Sequence, residues 1–79
     1  MNTQRYRVVL PWKLDHTVAG VGIEVAYLLD KRTGRTYIDG AYRVVNAIGQ
    51  VEKTYAGETA WSDAERYARD LCFAARHAR

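Results

Sequence analysis

The chain has two histidines and one cysteine, the side chain types most often used as general bases or zinc ligands. His16 directly follows Asp15. Chain neighbours rarely meet as an acid–base pair in space, so His16 is expected to be an exposed loop residue. His77 falls in the last turn of a helical pattern, where a partial positive charge complements the helix dipole without any catalysis. No HxxxH or CxxC spacing is present to hold zinc. No metal and no other cofactor is therefore expected. A GxGxxG phosphate loop is absent, and no Ser, Thr or Cys sits in a nucleophile elbow. Cys72 falls on an apolar helix face, which predicts a buried small hydrophobe. Being alone, it forms no internal disulfide. Catalysis is not expected; binding is.

Binding residues stand out on the C-terminal helix. From Ser62 to Ala78 the chain reads SDAERYARDLCFAARHA. At about 100° per residue, Ala64, Tyr67, Ala68, Leu71, Cys72, Ala75 and Ala78 share one face. Phe73 projects from the opposite face among Arg66, Arg69 and Arg76. An aromatic in that position is expected to anchor a partner, with the arginines as a polar rim. A homodimer through this face is one form such a contact takes. Trp12 and Trp61 lie outside the regular elements and join the partner-binding set, with core or interface both open. Lys31, Arg32 and Arg35 cluster at one hairpin and offer an alternative, a phosphate-contacting nucleic-acid module. With a formal net charge of only +3, such binding is expected to be weak and non-specific at most.

The elements that position these residues follow from periodicity. Arg5 to Leu10 alternates and reads as a strand that Pro11 ends. Trp12 to Gly20 reads as an irregular connection. Val21 to Leu29 is the strongest strand pattern. Asp30-Lys31-Arg32-Thr33-Gly34 suits a type I turn closed by a left-handed glycine. Asp39-Gly40 reads as a bulge inside one strand running to Val45, with a two-residue hairpin as the alternative. Asn46 to Gly49 is a turn, and Val51 to Tyr55 a last strand. Ser62 with Glu65 predicts a capping box. The fold class is α+β: an antiparallel sheet of about four strands, with one C-terminal helix packed on one face.

Composition bounds the rest. The 79 residues fit a single domain, residues 1–79. Hydrophobic residues make up 48%, enough for a packed core and against a disordered chain. No apolar run spans a membrane, and the start MNTQRYRVVLPW is too charged for a secretion signal. A cytoplasmic location is expected.

Two resemblances bear on function. The stretch VEKTYAGETAWSDAERYARDLCFAA, Val51 to Ala75, is similar to the end of a double-stranded-RNA-binding domain. It departs from that family at the helix start, where Ser62-Asp63-Ala64-Glu65 replaces lysines that cross the phosphates. No counterpart of that family's first helix precedes it, so membership is not assigned. In size and architecture the whole chain resembles the small phage-encoded inhibitors of CRISPR surveillance complexes, the anti-CRISPR proteins. That resemblance implies a Cas subunit as partner, in the cytoplasm of the phage's host. It implies blocked DNA recognition or nuclease recruitment as the effect.

Overall fold

The computed structural model describes residues 5–77, with side chains through Phe73. Four strands and one helix follow in order: β1 (Tyr6–Val18), β2 (Val21–Asp30), β3 (Thr36–Val45), β4 (Val51–Ala56) and α1 (Ala60–His77). The strands form one antiparallel meander in the order β1-β2-β3-β4. The helix packs on one face, giving the α+β class expected.

The core lies between helix and sheet. Ala60, Ala64 and Ala68 lie four residues apart on one helix stripe. They meet Ile23 of β2 and Tyr42 and Val44 of β3. Val18, Val21, Val25, Tyr55 and Tyr67 close the margin of this cluster. Three alanines let the helix backbone approach the sheet closely. Little apolar area comes from the helix, so the sheet side chains supply most of the burial.

β1 differs from the sequence reading. It does not stop at Pro11 but runs on to Val18. The register passes from Val9↔Tyr27 to Lys13↔Val25, so Leu10, Pro11 and Trp12 together oppose Ala26. Proline is tolerated because β1 is an edge strand and the ladder is already broken there by the bulge. A second irregularity falls between Leu14 and His16, leaving Asp15 as the extra residue. The segment read as an irregular loop is thus the second half of a long hairpin. Its two-residue turn, Ala19-Gly20, has positive φ at both positions (52° and 84°). That is the type I′ pattern matching strand twist.

The other turns follow their residues. Gly34 adopts φ 77°, and its amide donates to the Asp30 carbonyl at 2.8 Å. The Asp30 side chain accepts from the Arg32 amide at 3.0 Å. Asn46 closes the β3–β4 turn by accepting from the amides of Ile48 and Gln50. Asp39-Gly40 is the bulge within β3, with Asp39 at φ 57° and the register shifting between Ala26 and Leu28. Gly40 is required by close approach. A Cβ there would lie 2.6 Å from Cβ of Leu28 and 3.0 Å from Cβ of Tyr37.

The helix starts earlier than the capping box predicts. Thr59 precedes Ala60, and the Thr59 hydroxyl donates to the Asp63 carboxylate at 2.9 Å. The Ser62 hydroxyl donates to the Thr59 carbonyl at 3.1 Å. Glu65 is drawn away to β1 and does not cap. Trp61 therefore sits within the first helical turn, not ahead of it.

Two substitutions test these backbone constraints. Gly40→Ala should lower stability by about 2 kcal/mol, as overpacking does, because both obstructing atoms are Cβ atoms near the backbone. Ala19→Asn should raise stability by about 0.5 kcal/mol, because asparagine tolerates the left-handed region better than alanine. Equilibrium urea unfolding measures both.

Candidate functional site

The candidate surface is the outward side of α1. Ala60, Ala64 and Ala68 face the sheet, so positions near 180° away on the helical wheel face solvent. Phe73 is 64% exposed and Trp61 49% exposed. Arg66 and Arg69 lie exposed on the helix between them. Twelve residues of helix separate the two aromatics by roughly 18 Å. The structure thus brings Arg66, Arg69 and Phe73 together on the outward face, whereas Trp61, about 120° around the helix from Phe73, lies on the flank beside His16 of β1. Arg76 belongs to the last helical turn, and its side chain lies outside the described residues, as does that of His77. Cys72, expected to be buried, is half-buried.

Trp12 is not part of this surface. Its ring lies under the Arg43 guanidinium, 4.6 Å from carbon to centroid. Arg43 in turn donates to Glu24 at 2.6 Å. Arg43 alternates with Tyr42 and Val44, which face the helix, so this stack occupies the opposite sheet face.

His16 corrects the sequence reading twice. It lies on β1, not in a loop, and it does pair with its chain neighbour. The bulge at Asp15 allows two consecutive side chains to meet, with Nδ1 2.6 Å from the Asp15 carboxylate. Nε2 lies 2.7 Å from the Glu65 carboxylate on α1. Both ring nitrogens face acceptors, and only the imidazolium donates from both. Burial pulls the His16 pKa down, but hydrogen bonds and charge attraction from Asp15 and Glu65 outweigh it and leave it raised. The ring lies 6.4 Å from that of Trp61 and tilted against it. This bridge ties the edge strand to the helix. Periodicity read across a bulge could not reveal it.

Lys31, Arg32 and Arg35 lie exposed at the β2–β3 turn, at the end of the sheet carrying Tyr6, Tyr27 and Tyr37. They share no element with the helix surface. Asp30, which opens the turn, is 1% exposed and paired with Arg5 at 3.2 Å. The Arg5 hydrogen bond holds the Asp30 carboxyl below the usual carboxylate range. Burial opposes this, and the amides of Arg32 and Thr33 assist it.

Among the described residues, no cluster of three or more His, Cys, Asp and Glu residues could hold a metal, and no helix is long and apolar enough to cross a membrane. No protein family, curated protein or solved structure matches the chain.

The histidine bridge has a pH signature. Its folded pKa is raised, so its contribution is fully present below the unfolded value of 6.5 and is lost as pH rises through the folded value. Wild-type stability in urea, followed by tryptophan fluorescence, should therefore decline as pH rises from about 6.5. The His16→Gln variant should be less stable at acidic pH and lose the slope over that window. Parallel pH profiles for the two proteins would mean that the bridge contributes nothing.

Proposed function

We propose that this chain is a non-catalytic protein-binding module that docks through the outward face of α1. The observation that carries this reading is Phe73, 64% exposed on the side of α1 opposite its alanine stripe. Large aromatics and arginines dominate binding energy at interfaces, and aromatic anchors there are ringed by polar side chains. Arg66 and Arg69 give the face a basic character suited to an acidic or neutral partner surface. Catalysis finds little support: both nitrogens of His16 are engaged by carboxylates, so neither is left to take a proton from a substrate.

Within that reading, the resemblance to anti-CRISPR proteins points to a Cas subunit as the partner, met in the host cytoplasm. A basic chain does not imitate DNA. It acts by occluding a protein surface or by wedging between subunits, blocking DNA recognition or nuclease recruitment. A second copy of this chain is the competing occupant, and sedimentation distinguishes the two.

The test is titration of the purified protein against reconstituted CRISPR surveillance complexes, read by size-exclusion chromatography and DNA-binding competition. At least one complex should form stoichiometrically and lose DNA binding or nuclease recruitment. Phe73→Ala should then weaken association by about 2 kcal/mol, roughly 30-fold. Arg69→Glu should slow the on-rate. Wild-type affinity of the Phe73→Ala protein for a partner so found would remove the helix face from the account. Concentration-dependent dimerisation lost in Phe73→Ala, without complex formation, would replace a Cas partner by a second copy.

A further inference from the structure

The sheet carries a second feature, remote in sequence from the helix face. Where the sheet ends at the β2–β3 turn, a cavity of about 280 Å³ is lined by Arg5, Tyr6, Leu28, Tyr37, Asp39 and Glu58, among others. Leu28 is buried, and its register partner in β3 is Tyr37. Tyr6 pairs with Asp30, two residues on, so both tyrosines rise from the same sheet face. Each ring lies beneath a guanidinium: Arg5 is 5.1 Å from the Tyr6 centroid and Arg35 is 5.9 Å from that of Tyr37. The turn beyond adds Lys31 and Arg32, both exposed. The carboxylate that opens the turn, Asp30, is buried and bridged by Arg5. Two acidic residues, Asp39 and Glu58, also line the cavity.

We infer that this cavity binds single-stranded nucleic acid, taking an amino-bearing base against Tyr6 and Tyr37 with the flanking phosphates on Lys31, Arg32 and Arg35. The surface has the three parts such a ligand needs. Tyrosine faces stack bases irrespective of sequence. Cations at the turn neutralise the backbone. Asp39 and Glu58 accept hydrogen bonds from exocyclic amino groups, which adenine, guanine and cytosine present and thymine and uracil lack. A duplex hides its base faces and offers only its phosphates. Net charge alone predicts only weak contact. The fold gathers a quarter of the chain's twelve lysines and arginines at this turn and adds Arg5 from β1's side of the cavity.

The test is fluorescence anisotropy with a labelled oligoadenylate of about 12 nucleotides, within the span such surfaces cover. Micromolar binding is expected. It should fall about 20-fold between about 50 and 200 mM salt, the slope for three phosphate contacts on a single strand. Tyr37→Ala should weaken it at least about fivefold, whereas Tyr37→Phe should retain it, because the ring face does the stacking. Arg35→Glu should weaken it about tenfold or more, and Lys53→Glu, the same charge change on β4, far less. Oligothymidylate should bind more weakly than oligoadenylate, and a duplex more weakly than either. Circular dichroism checks that each variant is folded. Three results would overturn the inference: no binding at low salt, equal loss in Lys53→Glu and Arg35→Glu, or duplex bound as tightly as single strand.

Discussion

The contact between the alanine stripe of α1 and the Ile23–Tyr42–Val44 surface of the sheet governs the rest of the structure. Alanine at three successive turns brings the helix axis close to the strands. It leaves little room for a large side chain at the centre of that stripe. Bulk on the helix is therefore displaced outward or to its margins. Tyr67 goes to the margin of the core, and Trp61 and Phe73 go to the surface. The same side chains that look excessive for a domain of this size are those that the core geometry cannot accept.

The small residues at the helix–sheet contact are supplemented by a polar restraint between the helix and the edge strand. The His16–Glu65 contact supplies that restraint at 2.7 Å, reaching from the edge strand to the second turn of the helix. It depends on the β1 bulge, because Asp15 must sit beside His16 to complete the pair of acceptors. The bulges thus shape the candidate surfaces at both ends. One places Asp15 beside the His16 that meets the helix; the other, at Asp39-Gly40, brings backbone close to Leu28 beside the cavity at Tyr37.

Most of the fold was legible because local and tertiary preferences agree. β2 alternates cleanly, the Asp30–Gly34 turn has its Asp and Gly where a type I turn needs them, and the Gly40 bulge follows from strand length. The helix face around Phe73 was readable from periodicity alone. What escaped was set by tertiary context. Pro11 is a strand breaker in a ladder but not within a bulge at an edge. Ala19 is a poor type I′ residue, so the turn it makes with Gly20 carries no local signal. The helix starts at Ala60, and Glu65, the expected capping partner of Ser62, instead meets His16 across 49 residues of chain. Arg43 over Trp12 likewise needs β1 and β3, far apart in sequence, to flank β2.

The central claim is that Trp61 and Phe73 are displaced from the core and do not hold it together. Urea unfolding of the Trp61→Ala, Phe73→Ala double variant tests it most directly, with far-ultraviolet circular dichroism as the signal. The account predicts a cooperative transition within about 1.5 kcal/mol of wild type, since exposed positions lose little. It also predicts that Ala64→Leu, which forces bulk into the helix–sheet contact, costs more than the double variant. A double variant that is unfolded in water, or that loses the roughly 3–5 kcal/mol per site expected for emptying aromatic core positions, would contradict the account.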